Sequence, residues 1–158
     1  MRLWRITDAA YVATAFTGEG AAVTGGRWNS RGTKVVYASA NLSTAILEIL
    51  VHVDPTNAPT TLRKIAIDVP DKLARETIRV TDLPKDWTRY PANPLLARMG
   101  DDWVARNKTA LLFVPSVVVE SDDEPNALIN PGHADFARMK IGKPEPLLFD
   151  TRLKRRAR

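Results

Sequence analysis

Two arginines in a glycine-rich segment are the first residues whose types and spacing suggest chemistry. Arg27 and Arg31 lie in the stretch Gly25–Gly32, which also contains Trp28. The glycines allow tight backbone conformations, so two guanidinium groups can approach a ligand. A guanidinium binds two phosphate oxygens at once, and an indole offers a face for stacking. The segment is equally consistent with a phosphate-binding loop and with a glycine turn that carries solvated arginines and a buried tryptophan.

A single carboxylate lies in the clearest predicted helix. Glu48 is the only ionisable residue between Asn41 and Val51, in a segment that is apolar almost all round. This pattern predicts a buried helix, and an isolated buried carboxylate must be paired with a cation, protonated or placed at the edge of a cavity. A structural ion pair and a catalytic carboxylate remain equally open.

A proline marks another candidate site. Pro115 interrupts an apolar strand, and Ser116 follows it. Such a break can present the serine hydroxyl to a ligand, although a serine after proline more often makes a local turn bond.

Several classes of site are excluded or disfavoured. The chain has no cysteine, so it has no disulfide, thiolate metal site or thiol nucleophile. Gly18–Gly20 lacks the third glycine of a dinucleotide-binding fingerprint, and His52 and His133 are too far apart for a helical metal pair. Ser116 lacks the flanking pattern of a hydrolase nucleophile elbow. We expect no metal, and both histidines are expected to be structural.

The net charge of +5 comes from the end of the chain. Five of the 23 basic residues lie at positions 152–158, which leaves 23 − 5 = 18 basic residues against 18 acidic ones. We therefore predict a neutral domain at 1–151 and a solvated basic tail at 152–158. A noncatalytic nucleic-acid-binding module that uses this tail is a remote alternative. The sequence has no signal peptide and no membrane span, so we expect a cytoplasmic protein.

Hydrophobic periodicity predicts one α+β domain and disfavours a parallel nucleotide-binding sheet. The predicted strands lie near Leu3–Ile6, Lys34–Ser39, Thr61–Val69, Thr77–Thr81, Leu111–Glu120 and Leu147–Asp150. Helices are predicted from Asn41 to about Val53, from Asp101 and near His133, with turn-rich segments at Thr17–Gly32, Asp82–Pro94 and Ser121–Gly132.

Four segments, taken together and in order, resemble the RES domain family, which is named for its arginine, glutamate and serine. They are Gly25–Ser30 with Arg27, Val35–Ser39 with Tyr37, Leu47–His52 with Glu48, and Val114–Ser116. The similarity extends to Trp4–Ile6, Phe16–Ala21, Leu128–Pro131 with Asn130, and Leu148–Asp150.

This resemblance implies a fold like that of ADP-ribosyltransferase toxins, with NAD in a cleft between two small sheets. It also implies the toxin of a type II toxin-antitoxin system, which arrests growth by consuming NAD. The implied partner is an Xre-type helix-turn-helix antitoxin that covers the cleft and makes any DNA contact.

The resemblance also implies roles for individual residues. Glu48 would stabilise the positive charge that develops on ribose when nicotinamide leaves, and Arg27, with or without Arg31, would hold the pyrophosphate. Tyr37 would lie near nicotinamide, and Ser116 would fix its amide or a ribose hydroxyl. Trp28 and Asn130 complete the expected NAD-binding set.

The attacking group remains open. Water would make the enzyme a NAD glycohydrolase, inorganic phosphate a NAD phosphorylase, and a protein side chain a mono-ADP-ribosyltransferase. NAD is a substrate in each case, inorganic phosphate is a co-substrate in the second, and no cofactor is expected.

Overall fold

One mixed sheet organises the residues that the computed structural model describes, 1–53 and 59–150. Its strands are β1 (Arg2–Asp8), β2 (Val36–Ser39), β3 (Leu62–Asp68), β4 (Glu76–Thr77), β5 (Leu111–Ser116), β6 (Ser121–Ile129), β7 (Lys140–Ile141) and β8 (Glu145–Pro146). The helices are α1 (Glu19–Thr24), α2 (Leu42–Leu50) and α3 (Pro94–Arg106), and short 3₁₀ turns occupy Ala9–Thr14, Val80–Asp82 and Ala134–Arg138. The predicted α+β class is confirmed.

The sheet consists of two halves that meet at one point. The strand order is β4-β5-β6-β2-β1-β3-β7, with β8 also paired to β3, and only the β4–β5 pair is parallel. The antiparallel β1–β3 ladder runs from Arg2 to Asp8, whereas β1 and β2 share the single register pair Trp4 and Ser39. The two small sheets that the resemblance implies are therefore joined here by one residue pair.

Alternating side chains divide the core between the two faces of the sheet. One face contributes Leu3, Val36, Ala38, Ile67, Leu111, Ala127 and Ile129 to a shared apolar cluster. The other face is covered in two parts. Helix α3 covers the half that contains β5 and β6, where Trp103 packs with Leu112 and Leu128. Helix α2 covers the half that contains β1 and β3, where Ala45 packs with Ile6.

Helix α2 begins as predicted, at Asn41, whose side chain accepts a hydrogen bond from the Thr44 amide at 2.8 Å. It ends at Leu50, before the expected Val53. The expectation of burial all round is wrong, since Leu47 is 42% exposed and Val51 is 59% exposed. The helix has one apolar side on the sheet and one side in solvent.

The largest error of the sequence prediction is strand β6. Its first half is polar, which suggested a turn-rich segment beginning at Ser121. The structure pairs β6 with β5 on one side and β2 on the other, and Ala127, Leu128 and Ile129 are fully buried. Residues 126–129 pair on both sides, and the polar residues before them extend the strand from this doubly paired segment to the pair of Ser121 with Ser116.

Four other boundaries differ from the prediction. Helix α3 begins at Pro94 rather than Asp101, because Asn93 caps it and proline favours the first helical position. The predicted strands near Thr77–Thr81 and Leu111–Glu120 end at Thr77 and Ser116, and Leu147–Asp150 is not a strand. The 3₁₀ turn after His133 confirms the third predicted helical segment.

None of the helices in the described part of the chain combines the length and the apolar character that a membrane span requires. The basic tail at 152–158 lies outside the described residues.

Candidate active site

A cavity of about 250 Å³ lies around the single point where β1 and β2 meet. Four elements contribute to its wall: β1, β2, α2 and β6, with His52 just beyond α2. The lining residues are Trp4, Arg5, Ile6, Tyr37, Ala38, Ser39, Ala45, Glu48, Ile49, His52 and Asn126.

The Glu48 carboxylate lies on this wall, half-buried, and is held through one of its oxygens. Its Oε1 accepts hydrogen bonds from Ser116 Oγ at 2.8 Å and from Asn126 Nδ2 at 2.5 Å. Within residues 1–53 and 59–150, Glu48 forms no salt bridge and Oε2 accepts no hydrogen bond. The geometry therefore favours the cavity-facing carboxylate over the structural ion pair.

Helix α2 is aligned with strand β6 because four residues of the helix span nearly the same length as two residues of the strand. Thr44 Oγ1 donates to Glu124 Oε2 at 2.7 Å, and one turn later Glu48 meets Asn126. Four helical residues advance about 6 Å, and two strand residues advance about 6.8 Å, so both pairs form together. The hydrogen bonds from Thr44 and Asn41 also hold the pKa of Glu124 below its usual value. Strand β6 thus fixes the position of Glu48 on the cavity wall.

Asn126 itself is held by Ser39, its register partner on β2. Ser39 Oγ donates to Asn126 Oδ1 at 2.7 Å, and Ser39 is only 4% exposed. Neither Ser39 nor Asn126 is among the site residues predicted from the sequence. Each is a small polar residue beside an apolar stretch, a pattern that is also typical of ordinary turns.

Arg5 is the cationic group of the cavity wall, and it too was missed as a site residue. Its Nη1 donates to the Tyr37 carbonyl at 2.7 Å, while its buried Nε has no hydrogen-bond partner in the described part of the chain. Burial lowers the pKa of Arg5 to about 10, so the guanidinium still carries its charge at neutral pH. A guanidinium on a cavity wall suits an anionic or carbonyl ligand. An arginine inside the apolar strand Leu3–Ile6 was the signal available in the sequence.

Tyr37 lines the cavity and anchors the glycine-rich segment. Its hydroxyl donates to Asn29 Oδ1 at 2.8 Å and accepts from the Trp28 amide at 3.1 Å. Burial raises the pKa of Tyr37 to about 12. The hydroxyl is therefore occupied, and contact of Tyr37 with nicotinamide remains a prediction.

Helix α3 fixes the same segment from the opposite side. Asp101 Oδ1 accepts from the Ser30 amide at 2.9 Å. Gly100 approaches so closely that a Cβ there would lie 1.8 Å from the Trp28 carbonyl oxygen. Only glycine fits this contact between helix and loop.

Arg27 lies outside the cavity lining and binds a neighbouring loop. Its Nη1 donates to the carbonyls of Trp87 and Arg89 at 2.5 and 3.3 Å, and Nη2 contacts the latter at 3.4 Å. Burial lowers the pKa of Arg27, and the nearby Glu48 carboxylate opposes that change. The Nε–H of Arg27 is not used in these bonds.

The other predicted ligand residues are not brought to the cavity. Arg31 is exposed, and its Nε donates to the Thr24 carbonyl at 3.4 Å. Asn130 is 4% exposed and closes a turn, with Nδ2 on Asn107 Oδ1 at 3.0 Å. Ser116 is fully buried, and its contact to the site is the bond to Glu48.

The stacking role expected for Trp28 does not fit its position. Trp28 is 2% exposed and packs in the core with Trp87, Leu96 and Trp103. An enclosed ring has no face for a ligand, because dense core packing leaves no room beside it. The alternative of a buried tryptophan in a glycine turn is the one the structure shows.

The two histidines differ in position. His133 caps a 3₁₀ turn, with Nδ1 accepting from the Asp135 amide at 3.0 Å, which is the structural role expected. His52 lines the cavity one turn after Glu48. Among the described residues, no group of three histidine, aspartate or glutamate side chains is arranged to hold a metal.

Comparisons with known proteins identify relatives of this chain. The chain is 40% identical to "Prs ADP-ribosylating toxin" of Sphingobium sp. (strain YBL2), over 98% of this chain and 97% of that protein. It is 32% identical to "Toxin Res" of Yersinia enterocolitica, over 98% of this chain and 100% of that protein. The toxin-antitoxin complex MbcT-MbcA of M. tuberculosis has a chain of similar fold, with a TM-score of 0.71 at 17% identity over 92% of this chain and 83% of that chain. The family model of the RES domain matches residues 2–150, and the chain therefore belongs to the RES domain family.

Proposed function

We propose that this chain is the toxin of a toxin-antitoxin pair and that it consumes NAD by breaking the bond between nicotinamide and ribose. One observation carries the proposal: the Glu48 carboxylate, held through Oε1, lies on the wall of a cavity that also contains the Arg5 guanidinium. The name of the Sphingobium relative supports the use of NAD, because ADP-ribosylation takes its ADP-ribose from NAD, and the name of the Yersinia relative supports the role as a toxin.

The chemistry follows from the bond that breaks. As the bond between ribose C1′ and the nicotinamide nitrogen lengthens, its electron pair moves to nitrogen and nicotinamide leaves as a neutral base. Positive charge then develops on C1′ and the ring oxygen, the same problem that glycosidases meet with carboxylates. A fixed anionic oxygen on the cavity wall stabilises that charge without reorganising. Glu48 Oε2 is the oxygen we assign to this contact.

Two arginines would each bind a different part of the NAD molecule. Arg5 lines the cavity, and its guanidinium suits an oxygen of the nicotinamide-ribose half of NAD. Arg27 lies outside the cavity lining but close enough to Glu48 that the carboxylate opposes the lowering of the Arg27 pKa by burial. Since Arg27 holds the loop carbonyls through Nη1, its Nε edge is the one we assign to the pyrophosphate.

The group that attacks C1′ divides the proposal into two candidates. Water or inorganic phosphate would make the chain a NAD glycohydrolase or a NAD phosphorylase. A protein acceptor would make it a mono-ADP-ribosyltransferase, and the name of the Sphingobium relative favours this second candidate. In each case the acceptor forms a bond to C1′ and gives up its proton, if it has one to lose, to solvent or a base.

An antitoxin is the partner that we propose. The similar fold from M. tuberculosis was solved as a toxin-antitoxin complex. We expect an Xre-type antitoxin to cover the cavity and to make any DNA contact of the complex.

Product analysis tests the proposal. The purified chain would be incubated with NAD alone, with phosphate, and with cell extract, and nicotinamide, ADP-ribose, ADP-ribose phosphate and ADP-ribosylated protein would be separated. Nicotinamide release under at least one condition is expected, and the second product identifies the acceptor. A folded chain that releases no nicotinamide in any of the three mixtures would refute the proposed activity.

A further inference from the structure

We propose that Ser39 and Asn126 are positioning residues that fix the orientation of the Glu48 carboxylate and so leave one of its oxygens to the substrate. The inference rests on the proposed function, because it concerns the orientation of the catalytic carboxylate. It assigns a role to two residues that neither the sequence pattern nor the comparisons indicate.

Each hydrogen bond to Glu48 has a fixed direction. An ionised carboxylate only accepts, whereas an asparagine amide has one accepting end and one donating end. Glu48 Oε1 lies 2.5 Å from the Asn126 amide, a distance that requires the NH₂ group to face it. If the amide were rotated by half a turn, two oxygen acceptors would face each other at that distance.

Ser39 holds the amide in the productive direction. Its hydroxyl donates to Asn126 Oδ1 at 2.7 Å, so the accepting end already has a partner. Both side chains are fixed by the pairing of β2 with β6, where they occupy opposite register positions. The hydroxyl therefore acts on Glu48 through the amide and does not touch it.

Ser116 has its direction fixed in an analogous way. Its Oγ accepts from the amides of Val118 and Val119, both at 3.2 Å, and so its single proton is left for Glu48 Oε1. Two donors of fixed direction thus converge on the same oxygen. These two bonds restrict rotation of the carboxylate about its last bond and leave Oε2 outside both of them.

Single substitutions separate this role from simple packing. Asn126→Asp keeps the size and the acceptor for Ser39 but places an oxygen against Glu48. We expect kcat for nicotinamide release to fall by about 100-fold, the scale of a misplaced catalytic group, with little change in KM. Ser39→Ala frees the amide to rotate, and we expect a fall in kcat of about tenfold, the scale of one lost hydrogen bond.

A double-mutant cycle completes the test. In an Asn126→Ala background, Ser39→Ala should cause no further fall in kcat, because the amide that it orients is absent. Ser121→Ala serves as the control. It removes a hydroxyl from the same strand, but that hydroxyl accepts from the Asp123 amide, so kcat should be unchanged. Melting temperatures show whether each variant is folded.

The outcomes are distinct. Wild-type chain that releases no nicotinamide refutes the proposed function and this inference with it. Wild-type activity together with a folded Asn126→Asp variant of normal kcat overturns the positioning role alone. Equal effects of Ser39→Ala with and without the Asn126 amide also overturn it, since the hydroxyl would then act independently.

Discussion

Replacement of Glu48 by glutamine tests the central chemical claim most directly. Glutamine keeps the size of the side chain, and its amide oxygen can still accept from Ser116 and Asn126. The change is therefore confined to the cavity-facing atom, which becomes a neutral NH₂ group instead of an anionic oxygen. Folding should be almost unaffected, because Glu48 has no salt bridge to lose among the described residues.

The size of the effect follows from Coulomb's law. Opposite unit charges at about 4 Å, with an effective dielectric constant of about 20, interact by about 4 kcal/mol. Loss of that term from the transition state alone would slow bond cleavage by about a thousandfold. Single-turnover measurement of nicotinamide release isolates this step from product release.

A matched substitution makes the result interpretable. Glu19→Gln makes the same chemical change on exposed helix α1, where the carboxylate lies 3.6 Å from Lys34 Nζ, and it should leave cleavage unchanged. A well-folded Glu48→Gln variant that cleaves NAD at nearly the wild-type rate would show that the carboxylate is not catalytic. A large fall in melting temperature would instead indicate that Glu48 is mainly structural.

Three further predictions follow from the geometry. Arg5→Lys keeps the charge, but lysine cannot donate to the Tyr37 carbonyl and to a ligand together, so KM for NAD should rise by about 10-fold or more. Arg2→Lys, on the same strand, should not change KM. Gly100→Ala forces a Cβ against the Trp28 carbonyl and should lower the free energy of unfolding by about 3 kcal/mol or more in urea titrations, whereas Gly20→Ala, with open space around it, should not. Because burial raises the pKa of Tyr37 to about 12 from 10.0, its contribution to stability is complete below pH 10 and is lost as the pH rises through 12. The excess melting temperature of wild type over Tyr37→Phe should shrink across that interval; a constant difference would contradict this.

The sequence predicted what depends on local pattern. Asn41 was recognised as a helix cap because its side chain serves the first turn of its own helix. Glu48 stood out because it was the only ionisable residue in an apolar helical segment. These inferences need only nearby residues, and the structure shows the cap and the cavity-facing position of the carboxylate.

What the sequence could not reveal depends on distant strands that become neighbours. Arg5 lines the cavity because β1 leaves β2 after one residue pair, and Asn126 lines it because β6 lies beside α2. Trp28 was misplaced for a related reason, since nothing in its own segment shows that α3 will enclose it. Such relations follow from tertiary packing rather than from periodicity.

The single-pair join between the half-sheets has a mechanical consequence. Helix α2, which carries Glu48, packs on the half that contains β1, whereas the Glu48 carboxylate is hydrogen-bonded to Ser116 and Asn126 of the other half. Any bending of the sheet at Trp4 and Ser39 therefore strains the bonds that hold this carboxylate beside the Arg5 guanidinium. A ligand that contacts both groups would act as a brace across the join, and the amide protons of β1 and β2 should then exchange more slowly with solvent.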